Sequence, residues 1–298
     1  MPETLTDLSN ALAGLVERHA PSIVRIEARR RGPSSGVVWA ADGLVVTAQH
    51  VIEHEDGIEV GLPDGRTVEA VLVGRDPATD VAVLRVPASG LAAAAWSETN
   101  GLRVGQLVLA VSRPGRSARA GLGMLSALGE GWRSPAGGRL DRYVQTDLAI
   151  HIGFSGSLLV DAAGSAVGMN TTGLLRSQAL AIPGPTLRRV VASLLSHGRI
   201  RRGFLGIGTY PARLPEHLQK SLGQPSALLL VSVEADSPAA RAGLVQGDVL
   251  VALAGQPVRH PGELLELLEE DSIGHELPAR IVRAGELREV TVAVGVRS

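Results

Sequence analysis

Short apolar stretches separated by turn residues dominate the chain from residue 23 to residue 182. Close spacing of such stretches, without long helical periodicity between them, is typical of an all-β barrel. We expect a first set of strands at 23–28, 36–40, 44–48, 58–62, 67–73 and 81–86. A second set is expected at 106–112, 121–128, 142–146, 157–160, 166–171 and 178–182.

Helical periodicity appears on either side of these strands. Thr6 or Asp7 is expected to cap a short helix that runs through Arg18. A second helix is expected at 185–196, closed by Gly198. Beyond a basic linker, the pattern predicts a strand at 228–233, a helix from Pro238 to Gly243 and a helix at 261–270.

Composition narrows the class of protein. With 298 residues, of which 45% are hydrophobic, the chain is long enough for two or three domains with sizeable cores. A net charge of −1 and an aromatic content of 2% give no reason to expect nucleic acid as a partner. The chain has no cysteine, which excludes disulfides, thiol catalysis and zinc–thiolate sites. We expect no cofactor.

The beginning of the chain bears on its location. The segment from Met1 to Asp7 has neither the basic start nor the apolar core of a signal peptide, and no apolar run approaches transmembrane length. We therefore expect no membrane span. We expect a cytoplasmic protein if the chain is complete, and an exported, periplasmic protein if the true start lies upstream.

The stretch Gly153-Phe154-Ser155-Gly156-Ser157 carries the first sign of chemistry. Glycines on both sides of a serine allow a tight turn, on which the hydroxyl projects while nearby amides converge. The amides of Gly153 and Ser155 are the candidate oxyanion hole. An ordinary Gly/Ser turn is the alternative interpretation, since a serine needs a neighbouring base to act as a nucleophile.

Candidates for the base and the acid lie upstream. His50 follows the apolar strand 44–48, and Asp80 stands at the entrance of the strand 81–86. Taken singly, each residue has an ordinary interpretation: His50 as a polar strand end, Asp80 as a turn residue and Ser155 as a loop residue. Together they follow the order of the chymotrypsin triad, in which the serine attacks, the histidine transfers its proton and the aspartate orients the imidazole.

A metal site is the competing chemistry. His50-Val51-Ile52-Glu53-His54 matches the inverted zinc-protease motif H-x-x-E-H. Zinc binding requires both histidines on one face of a helix of several turns. Here a strand precedes the motif and Asp56-Gly57 follows at once, so we expect no metal site.

These segments resemble those of the HtrA/Deg family of serine proteases, and the likeness covers nearly the whole chain. The histidine segment 46–51, the acid segment 80–84 and the serine segment 145–159 are similar to the family's, and the C-terminal third resembles its PDZ domain. The resemblance implies a mainly β fold, a chymotrypsin-like double six-stranded β-barrel followed by a small α+β PDZ domain. The implied boundaries are a protease domain at 1–198, a linker at 199–202 and a PDZ domain at 203–298.

The serine segment departs from the family pattern at three places. Phe154 stands where asparagine is usual, His151-Ile152 where Asn-Pro is usual, and Ser157-Leu158 where Gly-Pro is usual. These changes motivate a second hypothesis, a proteolytically silent peptide-binding scaffold or chaperone that acts through the PDZ groove. The presence of all three triad residues favours an active endopeptidase, and the resemblance implies unfolded or misfolded proteins as its substrates.

The resemblance also implies binding residues and partners. An uncharged specificity pocket, suited to small or medium aliphatic side chains, is expected from Ala149, Ile150, Thr171, Thr172 and Leu174, with Leu175 beside them; strand core is the alternative. A peptide groove is expected from Phe204, Leu205, Gly206, Ile207, Leu264 and Leu268. The expected partners are polypeptide substrates, C-terminal peptides and, from resemblance alone, two further copies in a homotrimer. The Gly-rich loop 129–139 matches a family loop that senses the PDZ domain or an activating ligand.

Overall fold

The computed structural model describes residues 2–30, 32–175 and 178–296, and the chain divides into two compact units, Met1–Ile200 and Arg201–Ser298. The first unit begins with helix α1 (Pro2–His19), which is longer than expected. Thr6 and Asp7 lie inside this helix instead of capping it.

A closed six-stranded barrel follows α1 and confirms the first set of predicted strands. Its strands pair in the order β1-β2-β3-β6-β5-β4, and every pairing is antiparallel. Its interior is filled by branched aliphatic side chains such as Val24, Ile26 and Leu84, which are fully buried. The strands are β1 (Ile23–Glu27), β2 (Ser34–Ala40), β3 (Leu44–Ala48), β4 (Ile58–Gly61), β5 (Thr67–Asp76) and β6 (Val81–Arg85).

A second closed barrel confirms the second set. It pairs in the order β11-β14-β13-β12-β7-β8, and the β9–β10 hairpin lies within the Gly-rich loop. The strands are β7 (Leu107–Ser112), β8 (Arg119–Gly129), β9 (Trp132–Arg133), β10 (Arg139–Leu140), β11 (Tyr143–Thr146), β12 (Leu158–Asp161), β13 (Ala166–Thr171) and β14 (Ala179–Pro183). The predicted double-barrel, mainly β fold is confirmed.

Helix α2 (Gly184–His197) ends the first unit. It buries Leu187, Val190 and Leu194 in a core shared with strands of both barrels. Gly198 adopts the left-handed φ of +69° and donates its amide to Leu194 O at 2.8 Å, so the predicted glycine cap is present.

The second unit is a small α+β domain around a sheet ordered β16-β17-β18-β20-β21, with β19 paired to β18 and β15 paired to β22. Helix α5 ends at Leu267, before the expected residue 270, because the acidic run 269–271 opposes the negative end of the helix dipole; a 3-10 turn at Glu270–Ser272 follows. The elements are β15 (Gly203–Phe204), β16 (Ile207–Arg213), α3 (Glu216–Leu222), β17 (Ser226–Val233), α4 (Pro238–Arg241), β18 (Val249–Leu253), β19 (Gln256–Pro257), α5 (Pro261–Leu267), β20 (Glu276–Arg283), β21 (Glu286–Ala293) and β22 (Gly295–Val296).

Across the described part of the chain, no helix combines the length and the apolar character needed to cross a membrane.

Candidate active site

The pairing of β3 with β6 brings His50 and Asp80 together. Ala48 ends β3 and pairs with Val81, which begins β6. His50 lies on the short 3-10 turn that follows β3, and Asp80 immediately precedes β6. Two side chains that are far apart in sequence therefore leave the same end of one antiparallel ladder.

The two side chains form a doubly bonded pair. His50 Nδ1 lies 2.9 Å from Asp80 Oδ2 and 3.1 Å from Oδ1, and the His50 amide donates to Oδ1 at 2.9 Å. Asp80 is 2% exposed, whereas the His50 side chain is 30% exposed. A buried carboxylate that accepts from both the ring and the main chain orients the imidazole and leaves Nε2 as its second ring nitrogen for chemistry.

Further groups around Asp80 restrict it. Asp80 adopts a left-handed φ of +58°, which Asp tolerates better than most residues. Its Oδ2 accepts a hydrogen bond from the Thr171 hydroxyl, which in turn accepts the Gly173 amide at 2.9 Å. A Cβ on Gly173 would lie 2.5 Å from Asp80 Oδ2 and 2.6 Å from His50 Nδ1, so only glycine fits there.

Sequence reasoning did not identify Gly173 as part of the site. Its only signal is its place, two residues after the end of β13. Thr171 was expected in the specificity pocket, but it is fully buried and its hydroxyl donates a hydrogen bond to Asp80. The Thr171 side chain faces the junction between the barrels instead of a pocket. Its contact with Asp80 depends on the packing of the two barrels.

The Gly-rich loop rests on the turn that leads into Asp80. Asp76 accepts the amides of Ala78 and Thr79 at 3.1 and 3.2 Å, which shapes that turn. The buried Ser134 hydroxyl donates to Ala78 O at 2.6 Å, and a Cβ on Gly138 would lie 2.2 Å from the same oxygen. The loop thus touches the chain two residues before the candidate acid.

Ser155 lies on the turn between β11 and β12 and has the predicted glycine environment. Gly153 and Gly156 have φ values of +95° and +83°, which favour glycine. A Cβ on Gly156 would lie 2.0 Å from Ser35 O, so the turn also packs directly against β2. The Phe154 amide donates to His151 O at 3.0 Å within the turn.

Phe154 and Ser157 are both accommodated in the interior of the second barrel, beneath the Ser155 turn. The Phe154 ring is buried in the core of the second barrel, where Gly121 faces it; a Cβ on Gly121 would be 3.5 Å from the ring. Ser157 is fully buried, has no positive φ and accepts a hydrogen bond from Asn170 Nδ2 at 3.0 Å. Both departures from the family pattern are therefore accommodated by the barrel beneath the turn.

The groups around Ser155 Oγ are not fully assembled as a triad. Ser155 Oγ lies 3.4 Å from Thr172 Oγ1, and within the described residues it makes no hydrogen bond to His50. The amides of Gly153 and Ser155 have no acceptor among residues 2–30, 32–175 and 178–296. The site thus combines an oriented imidazole, a nearby hydroxyl and two amides that remain available to an incoming anion.

The remaining expected pocket residues occupy different environments. Ala149 is exposed, and Ile150 is half-buried against the core of the second barrel. Leu174 is buried in the core shared with α2, and Leu175 packs against that core. Thr172 is exposed beside Ser155.

In the second unit, the loop at 204–207 that was expected to line the peptide groove is held by hydrogen bonds to its carbonyl oxygens. Leu205 O and Gly206 O accept the amides of Ala239 and Glu234 at 2.9 and 2.8 Å. Gly206 has a φ of +77°. The strand β16 that follows the loop lies at the edge of its sheet, as strand addition requires. The expected groove residues Phe204 and Ile207 are half-buried, and Leu205, Leu264 and Leu268 are buried in the core of this unit.

The inverted zinc-protease motif does not form a metal-binding cluster. His54 Nδ1 bonds to Asp56 O at 2.7 Å, and His50 bonds to Asp80. Over the described ranges, no group of three or more His, Asp or Glu side chains is arranged to bind a metal ion.

Comparison with known proteins agrees with this arrangement. Residues 34–169 match the trypsin-like peptidase domain, and residues 230–276 match the PDZ domain. The chain is 36% identical over 274 residues to a probable periplasmic serine endoprotease DegP-like of Halomonas elongata, covering 89% of this chain and 57% of that protein. The corresponding protein of Brucella suis is 33% identical over 268 residues, with 87% and 52% covered. The chain thus spans little more than half the length of these curated relatives.

Solved structures extend the likeness to both units. The HtrA-type protease AlgW with a tripeptide is 33% identical and superposes with a TM-score of 0.76, covering 96% of this chain and 97% of that one. AlgW with a decapeptide gives a TM-score of 0.78 at 29% identity.

These comparisons also correct one expectation. A cytoplasmic location was expected for a complete chain, with an exported, periplasmic protein as the alternative. The curated relatives are named periplasmic endoproteases, which contradicts the cytoplasmic expectation. From the two barrels, the His50–Asp80 pair beside Ser155 and these likenesses over nearly the whole chain, we conclude that it belongs to the HtrA/DegP family of serine endoproteases, with a trypsin-like peptidase domain followed by a PDZ domain.

Proposed function

We propose that the chain is an HtrA-type serine endopeptidase that cleaves unfolded or misfolded polypeptides through an acyl-enzyme. The observation that supports this most directly is the buried Asp80 carboxylate bonded to His50 Nδ1 at 2.9 Å. Ser155 Oγ contacts Thr172, and the next residue, Gly173, packs on that pair. Structural ion pairs also use such geometry, but they have no need of a glycine-flanked serine joined to the pair in this way.

In the proposed reaction, Ser155 Oγ attacks the peptide carbonyl carbon while His50 Nε2 accepts the hydroxyl proton. The carbonyl oxygen gains negative charge, and the amides of Gly153 and Ser155 stabilise it. His50 returns the proton to the amine as the peptide bond breaks. Water then attacks the acyl-enzyme with His50 again as the base, which releases the acid product and restores Ser155.

Substrate selection and regulation complete the proposal. Ala149 supplies no charge near the turn, which favours small or medium aliphatic side chains before the scissile bond. The Phe204–Ile207 loop and the β16 edge would bind a C-terminal peptide and thereby regulate cleavage. The structures of AlgW with a decapeptide and with a tripeptide support the binding of peptides in general. A homotrimer follows from family likeness alone, and light-scattering mass measurement tests it.

A silent peptide-binding scaffold is the second candidate, because the Ser155 hydroxyl is near Thr172 and is not bonded to His50. Labelling with a fluorophosphonate probe separates the two. The wild-type protein and Ser155→Ala are compared with and without a peptide that ends in a hydrophobic residue. We expect labelling that is lost in Ser155→Ala and increases with peptide. A folded wild-type protein that never labels would favour the scaffold.

A further inference from the structure

Two adjacent serines of the first barrel reach the serine turn of the second barrel. Ser34 and Ser35 begin β2 and are fully buried. The Ser34 hydroxyl donates to Ser155 O at 2.7 Å, and the Ser35 hydroxyl donates to Gly153 O at 2.7 Å. Both acceptors belong to the residues whose amides form the candidate oxyanion hole.

The positions of these carbonyls determine how the amides are presented. Gly153 O belongs to the peptide unit between the two donor amides, and Ser155 O belongs to the unit just after the second donor. Fixing both oxygens restricts the backbone rotations that aim the amides of Gly153 and Ser155 at a common point. The Ser35 amide adds a third contact, to Ser155 O at 3.3 Å.

The serine pair is itself held by neighbouring groups. The Thr47 hydroxyl of β3 donates to Ser35 O at 2.7 Å. The Arg113 amide donates to Ser35 Oγ at 2.9 Å, so that hydroxyl accepts one hydrogen bond while it donates another. Pro114 packs directly against Gly153, since a Cβ on Gly153 would lie 2.4 Å from Pro114 Cβ.

Arg113 anchors this arrangement to the start of the first barrel. Its buried guanidinium donates to Ile23 O and Arg116 O at 2.7 Å and to Ala20 O at 2.9 Å. Burial lowers the pKa of Arg113 from its ordinary value. A guanidinium solvated by three carbonyls is costly to displace, so the segment that carries the Arg113 amide is firmly placed.

We propose that Ser34 and Ser35 are positioning residues of the oxyanion hole: their hydroxyls hold the carbonyls of Gly153 and Ser155 so that the two amides stay aimed at the developing oxyanion. This role rests on the proposed serine endopeptidase function. It deepens that function, because it makes the first barrel a contributor to the oxyanion hole as well as to the histidine and the aspartate.

The test uses Ser34→Ala, Ser35→Ala and their double variant, with Ser193→Ala as the matched control. Ser193 is also a buried serine that donates to a carbonyl, that of Arg199, but it lies on α2 away from the turn. We measure kcat and KM on a fluorogenic peptide, together with the affinity for a peptide boronate, whose tetrahedral adduct with the serine resembles the intermediate.

We expect kcat to fall about 10-fold in each single variant and about 100-fold in the double variant, with KM within about twofold. Boronate affinity should weaken by a similar factor, because transition-state interactions are the ones lost. Ser193→Ala should match the wild type. Amide hydrogen exchange should become faster in the peptide that contains residues 149–157 and, in Ser35→Ala, at the Arg113 amide that loses its acceptor; Ser193→Ala should change neither.

Unchanged kcat and boronate affinity in a folded double variant would overturn the proposal. So would a loss of kcat that merely follows the fraction of folded protein measured by circular dichroism. If an alanine variant fails to fold, Ser34→Cys and Ser35→Cys keep one heavy atom at the γ position, larger than oxygen and a weaker donor, and should show the same decrease. A wild-type protein without peptidase activity would overturn the proposed function instead. Faster amide hydrogen exchange in the double variant would then still support the conclusion that Ser34 and Ser35 hold the turn in place.

Discussion

The acid–base half of the site and the nucleophile half differ in how completely they are assembled. The Asp80 carboxylate receives bonds from the His50 ring, the His50 amide and the Thr171 hydroxyl, and the Gly173 backbone packs against it. Among the described residues, Ser155 Oγ has one hydrogen-bond partner, Thr172 Oγ1, at 3.4 Å. Hydrogen bonds from Ser34 and Ser35 hold the backbone of the Ser155 turn. Within the described residues, the Ser155 hydroxyl makes no hydrogen bond to His50.

This difference indicates where control of activity acts. A buried carboxylate must be bonded in the folded state, because an unpaired one would cost several kcal/mol. A neutral hydroxyl such as that of Ser155, which is 6% exposed, can exchange one hydrogen-bond partner for another at a lower cost than a carboxylate can. The proposed enzyme would therefore keep the His50–Asp80 pair formed at all times and engage Ser155 when substrate or peptide binds.

The largest predicted effect comes from breaking the better-assembled half. Gly173→Ala places a methyl group 2.5 Å from Asp80 Oδ2, so the carboxylate or the loop must move. We expect kcat/KM on a peptide substrate to fall about 10²-fold or more. Gly101→Ala is the control, since nothing lies within 4 Å of the added carbon there. Activity near wild type in Gly173→Ala would contradict the packing of Gly173 on the pair.

A smaller effect is expected from removing one hydrogen bond to the acid. Thr171→Val keeps the shape of the buried side chain but removes the donor to Asp80 and the acceptor of the Gly173 amide. We expect kcat to fall about 10-fold, the effect of one bond to a charged group. Thr171→Ser, which keeps the hydroxyl, should restore most of the rate. Equal rates in the valine and serine variants would show that this hydroxyl does not matter.

The smallest effect would sharpen the comparison on the nucleophile side. Thr172→Ala removes the one hydrogen-bond partner of Ser155 Oγ within the described residues. Fluorophosphonate labelling of Ser155 should become about 2- to 5-fold faster, because a weak competing bond is lost. Thr172→Val removes the same hydroxyl with little change of shape and should behave alike. Slower labelling in both variants would mean that Thr172 assists the nucleophile instead of competing for it.

Much of the fold follows from local pattern. Alternating apolar stretches such as 44–48 and 81–86 can bury one face only in a sheet, so the strands of both barrels were predicted to within a few residues. The α1 start and the α5 end were predicted wrongly. At α5, the acidic run 269–271 acts on the helix end more strongly than the apolar periodicity does.

The sequence by itself determined the candidate chemistry: a histidine and an aspartate at strand ends and a serine between glycines, in a known order. Side-chain type and backbone freedom are local properties, so they can be recognised without coordinates. Only the tertiary structure decided that Phe154 is core, that Thr171 serves Asp80, that Gly173 must lack a side chain, and that Ser34 and Ser35 hold the turn. Each of these depends on contacts between residues far apart in the chain, and such contacts exist only once two closed barrels pack against each other.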